Sequence, residues 1–322
     1  MSNKDKSFKS KLGAIIASLI EERVAKGLSR ESYLNTFYDF DFFIVNNGFD
    51  DGTLSKALLE AWSIQRPTEN TNTRNSRINA ARLIAKYMNS LGLDAYFPMN
   101  QASTIHKTPY IPTRNELIQF FKVVDSHVSK TAWADGLQDA YPVMFRLYYC
   151  YGMRLNEAVC IKKEDVDLQA GTIYIRHSKG DKDRVIFLKE DMLKLMKAYD
   201  EAASMRLIVN REWFFPGKYG SNHYCKTGLC NLFVNLWKES FPDWTGKRPT
   251  IHSLRHAFVV HRINDWTAEG RDAEVLFPYI SRFIGHESIQ ETMYYYHSKD
   301  TESMAWTRFT DDQSDLLEVE WL

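Results

Sequence analysis

Four side chains in one short region of the sequence are of types that suit phosphate chemistry. His252 and Arg255 lie three positions apart, so on a helix they share one face and can donate to the same anion. His286 follows a glycine that ends an apolar run, and Tyr295 comes nine residues later. Arginine and imidazole groups bind phosphate oxygens, and a tyrosine beside them can act as a nucleophile. The pattern therefore predicts covalent chemistry on a phosphate ester.

A further arginine upstream has a carboxylate at helical spacing. Gly152 is expected to end one helix, and a short helix then restarts with Arg154 on its first turn. Glu157 lies three residues on and could orient the guanidinium of Arg154. The alternative is a surface ion pair with no further role.

Residues 165–188 change to the alternating period of β-strands and predict a hairpin with Gly180-Asp181 in its turn. Lys179, Lys182 and Arg184 crowd the tip of this hairpin. A lysine on such a turn could reach into a DNA groove and meet a phosphate. The alternative is that the tip is polar only because turns usually are.

These motifs together resemble the tyrosine recombinases, the phage integrase family. The resemblance rests on Gly-x-Arg-x-x-Glu at 152–157, Lys-Gly-x-Lys-x-Arg at 179–184, His-x-x-Arg at 252–255, and Gly-His at 285–286, and it covers about residues 113–300. The nucleophile is assigned by its spacing from the Gly-His motif and by a histidine two residues later, His297, which favours Tyr295 over Tyr294 and Tyr296. The resemblance implies six catalytic residues: Arg154, Lys179, His252, Arg255, His286 and Tyr295.

The resemblance also implies a role for each group. Tyr295 would attack the phosphate, His252 would accept its proton, and Lys179 would protonate the leaving 5′ oxygen. Both arginines and His286 would stabilise the extra negative charge of the transition state. The product would be a 3′-phosphotyrosine, so that no cofactor, ATP or metal is expected. The implied partner is double-stranded DNA, bound by a homotetramer that forms a Holliday junction, whereas the free protein is expected to be a monomer.

The chain departs from the family pattern at three positions without losing a reacting group. Tyr151 stands where a threonine is usual, Ala257 where a serine or threonine often follows, and Phe187 where a proline is common. The spacing between Arg255 and His286 is several residues longer than in compact members. We expect the excess to form a loop around residues 265–278.

The fold class expected from these patterns is mainly α with a small β-sheet. Helical periods before residue 95 predict four helices, over about 8–26, 29–46, from just after 53, and 75–91. These form a helical DNA-binding (core-binding) domain, residues 1–94. A proline-containing linker, 95–112, leads to an α+β catalytic domain, 113–310, which opens with a capping box at Thr113-x-x-Glu116.

The last segment, 311–322, carries five acids, no lysine or arginine, and five large apolar residues. Family resemblance implies that such a C-terminal segment passes to a neighbouring protomer. A frayed, solvated tail is the alternative. Because the whole chain has 41 basic and 41 acidic residues, the part before this tail is mildly basic.

Basic side chains away from the catalytic set are candidates for contacts with DNA phosphates. The candidates are Arg74, Arg77 and Lys86 in the helical domain, and Lys182 and Arg184 in the hairpin. A solvated helix face explains the first three equally well. The neutral net charge does not decide the matter, because local patches govern phosphate binding.

Other classes of protein fit the sequence less well. No apolar run is long enough to span a membrane, and four cysteines without a Cys-x-x-Cys pair suit the cytoplasm, where the protein would associate with DNA. His223, Cys225 and Cys230 match no common zinc spacing, and His252 and His256 lack the glutamate of a His-Glu-x-x-His motif. A topoisomerase of type IB, or a DNA-binding accessory protein without activity, remain alternatives to a recombinase.

Overall fold

The computed structural model of the chain describes residues 7–28, 30–31, 33–98, 109–127, 140–176, 183–206, 211–217, 220 and 222–286. The chain divides into two compact units, Met1–Lys107 and Thr108–Leu322. In the described residues the first unit contains four α-helices, and the second contains seven α-helices and three short strands. The predicted mainly α fold with a small sheet is confirmed. No α-helix in these ranges has the length and apolar character needed to cross a bilayer.

The first unit consists of four helices with starts that differ from those expected. They are α1 (Gly13–Ala25), α2 (Leu34–Asn46), α3 (Lys56–Ser63) and α4 (Thr71–Ser90). The helix α2 starts five residues later than predicted, after Tyr33 with a φ of 65°. By contrast, α4 starts four residues earlier, because the Asn70 side chain accepts the backbone N–H of Thr73 at 2.9 Å and caps the helix. Ser29, the expected cap of α2, lies outside the described residues.

The core of the first unit changes the interpretation of Arg77. This side chain is buried at 5% exposure, and its guanidinium lies 4.5 Å from the centre of the Trp62 ring. It donates to both carboxylate oxygens of Glu69, each at 2.7 Å, and to the carbonyl of Ile64 at 3.1 Å. These donors are committed inside the unit in this structure, and contact of Arg77 with DNA stays a prediction.

The other two basic candidates of this unit lie nearer the surface. Arg74 is half-buried and donates from Nε to the Ser63 carbonyl at 2.6 Å, whereas Lys86 is exposed. Their contact with DNA stays a prediction.

The second unit is built on a larger core of its own. Its helices are α5 (Arg114–Ser126), α6 (Ala140–Cys150), α7 (Leu155–Val159), α8 (Glu190–Arg206), α9 (Lys226–Ser240), α10 (Ile251–Ala268) and α11 (Ala273–Ile284). The predicted capping box of α5 is confirmed, since Thr113 and Glu116 each accept the other's backbone N–H. Helix α6 carries Pro142 and is buried along nearly its whole length, so it forms the centre of the core.

The sheet has three antiparallel strands, β1 (Val166–Asp167), β2 (Thr172–Ile175) and β3 (Arg184–Phe187). Strands β2 and β3 form the predicted hairpin, with Tyr174 opposite Val185. The sequence did not identify β1 as a paired strand. The hairpin tip, residues 177–182, lies outside the described residues.

Most of the segment 265–278 belongs to α10 and α11, so the expected loop over this whole range is wrong. Helix α10 continues to Ala268, a turn of four residues follows, and Pro278 lies inside α11. Pro278 removes one helix hydrogen bond, the one to the carbonyl of Glu274, and Glu274 is exposed to water. Gly270, with a φ of 76°, ends α10, while its N–H and that of Arg271 donate back to the last turn.

Candidate active site

The segment between α6 and α7 positions Arg154. Gly152 adopts a φ of 58°, and Arg154 then caps α7 in extended conformation, one residue before the first turn where the sequence placed it. Glu157 accepts the Arg154 Nη1 at 2.8 Å and the Arg154 backbone N–H at 2.8 Å. The predicted orienting role of Glu157 is confirmed. The second terminal nitrogen, Nη2, donates to the carbonyl of Gly285.

Arg184 reaches the same carboxylate from the hairpin. Its Nη1 and Nη2 donate to the two oxygens of Glu157 at 3.0 Å and 2.7 Å. The Arg184 side chain is only 12% exposed. The guanidinium therefore faces inward onto Glu157, and its contact with a DNA phosphate stays a prediction.

Helix α10 holds Arg255 in the interior. The helix starts at a reciprocal cap in which Thr250 and Ser253 each accept the other's backbone N–H. Arg255 is 1% exposed, and its Nη2 donates to the carbonyl of Ile284 at 2.8 Å. Its Nη1 donates to the carbonyl of Gly152. One guanidinium thus joins α10 to the Arg154 segment and to the end of α11.

His286 stands directly after this junction. Gly285, with a φ of 69°, ends α11 in the left-handed conformation, and the backbone N–H of His286 donates to Ser281 at 2.9 Å. The His286 side chain is buried. The carbonyls of Ile284 and Gly285 each accept from a predicted catalytic arginine, so the end of α11 brings both arginines beside His286.

His252 occupies the first turn of α10, on the face of Arg255. Although the residue is exposed, its ring lies among protein atoms, which disfavours the charged form of the imidazole. The positive charges of Arg255 and Arg154 also repel a protonated His252. Together they lower the pKa of His252 to about 4. The imidazole is therefore neutral at neutral pH and can accept a proton.

His256 is a neighbour whose importance the sequence did not show. Its ring centroid lies 4.3 Å from that of His252, nearly perpendicular to it. The side chain is buried, and this burial lowers the pKa of His256 far below its ordinary value. Charge repulsion from His252, Arg255 and His286 lowers the pKa further. The available signal was its spacing of four residues from His252, which the sequence analysis weighed only as a metal pattern.

The described ranges thus bring together four of the six predicted catalytic residues, Arg154, His252, Arg255 and His286. Lys179, Tyr295 and the DNA-contact candidate Lys182 lie outside them. In the same ranges no group of three or more His, Cys, Asp or Glu residues is placed to hold a metal ion. Chemically, two arginines held at the end of α11, next to a histidine in the chain, suit a pentavalent phosphate with extra negative charge.

The carboxylate at the centre of this network is strongly acidic. Burial alone would raise the pKa of Glu157, but hydrogen bonds and charge from Arg184, with those from Arg154, lower it to about 2. The carboxylate is therefore ionised at neutral pH and can hold both guanidinium groups.

Comparison with known families decides the relationship that these motifs suggest. The model of the phage integrase family matches residues 128–302, more than half of the chain. The chain belongs to the phage integrase family. The matched residues include all six positions that the sequence analysis singled out as catalytic.

Proteins similar in sequence to this chain include proteins named as recombinases. The integrase/recombinase-type protein y4eF of Sinorhizobium fredii is 31% identical over 147 residues, which is 46% of this chain and 52% of the relative. Tyrosine recombinase XerD of Listeria monocytogenes is 28% identical over 231 residues, 68% of this chain and 72% of the relative. The aligned region thus spans about half of the length of y4eF and a larger part of XerD.

Solved structures share the fold of this family member. The XerH site-specific recombinase bound to difH substrate, in a pre-cleavage complex, superposes with a TM-score of 0.63 at 16% identity over 90% of this chain and 93% of that chain. The Tn1549 transposon integrase in complex with transposon right end DNA gives a TM-score of 0.63 at 11% identity over 89% of this chain and 98% of that chain. At these identities the likeness establishes the fold.

The close packing around Gly152 gives a first testable prediction. A Cβ at this position would lie 2.7 Å from Phe258 Cδ1 and 2.9 Å from Ile284 Cγ2. A left-handed backbone costs an L-residue about 1–2 kcal/mol. Gly152→Ala should therefore lower the free energy of unfolding by more than this amount. Gly270→Ala is the matched control, because Gly270 has a similar φ and nothing lies within 4 Å of its added Cβ. Thermal unfolding compares the two, and equal losses would contradict the crowding at Gly152.

Proposed function

We propose that this protein is a site-specific DNA recombinase that cuts and rejoins strands through a 3′-phosphotyrosine intermediate. The observation that carries the proposal is the convergence of Arg154 and Arg255 on the two carbonyls that precede His286. Both guanidinium groups are held at the end of α11, directly before His286 in the chain. Preorganised donors of this kind stabilise the charge that develops on a phosphate in the transition state.

In this proposal the remaining groups move protons and form the covalent bond. His252, neutral at neutral pH, takes the proton from the phenol of Tyr295, and the phenolate oxygen attacks the phosphorus. Lys179 gives a proton to the departing 5′ oxygen. The new phosphotyrosine bond conserves the energy of the broken strand, so a 5′-hydroxyl from a partner strand can attack it and reverse the step.

The assembly is part of the same proposal. We infer a homotetramer that joins two double-stranded DNA sites through a Holliday junction, and a monomer in the absence of DNA. A lambda integrase tetramer bound to a Holliday junction has a TM-score of 0.54 with this chain at 15% identity, which supports the proposal by its fold. The segment 311–322 is the proposed contact between neighbouring protomers, and it lies outside the described residues.

The proposal is tested by trapping the covalent intermediate. DNA fragments that flank the gene are screened by footprinting, and the bound site is rebuilt as a duplex with a nick near the cleavage position. We expect an adduct that survives denaturation and carries the protein on a 3′ end. Binding without an adduct would instead indicate an accessory DNA-binding protein, and relaxation of supercoils without junction formation would indicate a topoisomerase.

A further inference from the structure

The hairpin and the Arg154 segment meet at a single buried carboxylate. Glu157 is 5% exposed and Arg184 is 12% exposed at their side chains, so the contact is largely shielded from water. Arg184 lies at the start of β3, whereas Glu157 lies on α7, 27 residues earlier in the chain. The contact therefore joins two elements that are well separated in the sequence.

The two oxygens of Glu157 are shared evenly between two arginines. One oxygen, Oε1, accepts Arg154 Nη1 at 2.8 Å and Arg184 Nη1 at 3.0 Å. The other oxygen, Oε2, accepts the Arg154 backbone N–H at 2.8 Å and Arg184 Nη2 at 2.7 Å. Arg184 thus binds both oxygens with a fork, while Arg154 places Nη1 on one of them. Its other terminal nitrogen is then directed to Gly285.

We propose that Arg184 is a positioning residue that, through Glu157, fixes the guanidinium of Arg154 against the end of α11. Its part in cleavage rests on the proposed recombinase function, whereas the geometric coupling does not. Without Arg184 the carboxylate has room for the two-pronged grip that arginine and carboxylate groups favour, and Arg154 turns toward it. Arg154 then leaves the carbonyl of Gly285 and the point beside His286.

The competing interpretation is that Arg184 binds a DNA phosphate directly. A phosphate contact needs charge at the surface, so lysine could replace arginine, and its loss would reduce the salt dependence of binding by about one ion. A positioning role needs the planar fork, which lysine lacks. The two interpretations therefore predict opposite behaviour for Arg184→Lys.

The first experiment measures single-turnover cleavage of the nicked duplex at saturating protein, together with DNA affinity at several salt concentrations. We expect Arg184→Lys and Arg184→Gln to cleave about 10-fold to 10²-fold more slowly, as misplaced catalytic groups do. Affinity and salt dependence should stay close to those of the wild type. Glu157→Gln should slow cleavage similarly, and the double variant Glu157→Gln/Arg184→Gln should be no slower than the slower single variant.

Arg176→Gln is the matched control from the same hairpin. Arg176 is also paired with a carboxylate, that of Asp165, but its side chain is 49% exposed and does not touch Glu157 in the contacts described above. This control should cleave at the wild-type rate. Normal cleavage by Arg184→Lys, with weaker binding of DNA by Arg184→Gln, would overturn the proposal in favour of a phosphate contact.

The second experiment needs no DNA. In protein labelled with ¹⁵N-arginine, the side-chain N–H signal of Arg154 is assigned by its loss in Arg154→Lys. We expect this signal to shift in Arg184→Lys and to stay in place in Arg176→Gln, and an unmoved signal in both would overturn the coupling. If the wild type makes no adduct on DNA while the signal shifts as expected, the recombinase function fails and the coupling stands. If Arg184→Gln does not fold, both experiments are decided with Arg184→Lys, which keeps the positive charge.

Discussion

Replacing Tyr295 by phenylalanine should abolish the covalent protein–DNA adduct and leave DNA affinity unchanged. The substitution removes only the phenolic oxygen, which in the proposed reaction forms the bond to phosphorus. The described contacts of Arg154, Arg255 and His286 are made with α7, α10 and α11, and the substitution leaves these residues unchanged. The measurement is the amount of adduct formed on the nicked duplex after denaturation, with binding followed separately by gel shift.

The neighbouring tyrosines supply the controls for this prediction. Tyr294 and Tyr296 point about 100° to either side of Tyr295 if the segment is helical, so only one of the three can face the site. Tyr294→Phe and Tyr296→Phe should both form the adduct. Should Tyr295→Phe form it while one of the other two does not, the nucleophile has been assigned to the wrong residue.

Replacing Arg255 by lysine should slow cleavage by about 10²–10³-fold or more, the loss typical for a donor that stabilises transition-state charge. A guanidinium has five N–H donors in one plane, so it can donate to the carbonyls of Gly152 and Ile284 and also to a phosphate oxygen. An ammonium group cannot span these positions. The variant therefore loses both the transition-state contact and the link between α10 and α11. Single-turnover cleavage at saturating protein measures the effect.

Arg262→Lys controls for a general effect of arginine replacement in α10. Arg262 lies two turns further along the helix, where its guanidinium is 5.9 Å from the centre of the Phe258 ring. We expect cleavage by this variant to match the wild type, and thermal unfolding checks that both variants are folded at the assay temperature. A rate for Arg255→Lys within a few-fold of the wild type would remove Arg255 from the transition-state contacts.

The positions of the catalytic candidates could be predicted because they depend on local rules. The spacing of three places His252 and Arg255 on one face of α10, and the same spacing brings Glu157 to Arg154. A glycine followed by histidine at the end of an apolar run predicted the end of α11. Capping chemistry likewise predicted the start of α5.

The contacts between these motifs could not be predicted, because they depend on tertiary packing. Backbone carbonyls at Gly152 and Ile284 carry no residue-specific signal, yet they orient Arg255. The same limit applies to the surroundings of Arg77 and Arg184, which the sequence suggested as DNA contacts. Both look like basic surface residues in the sequence, and both are held by buried carboxylates that only the fold brings near.

Element boundaries failed where one local signal outweighed another. The long spacing between Arg255 and His286 suggested a loop at 265–278, but the apolar side chains of Phe277, Ile280 and Ile284 pack on Phe258 and Ile263 of α10. This burial stabilises α10 and α11 on the two sides of the turn, so α11 forms although it contains Pro278. In the first unit, α4 begins earlier than its apolar period because a cap at Asn70, not hydrophobic spacing, sets its start.

The turn between α10 and α11 can change in length without moving the residues of the candidate active site. His286 is positioned by the far end of α11, where Ile284 and Gly285 are bound by the two arginines. Gly270, at the opposite end of that helix, is exposed and has open space around it. Insertions at exposed turns of this kind are the ones that folds tolerate best. A short peptide inserted after Gly270 is therefore expected to leave the arrangement of Arg154, Arg255 and His286 intact.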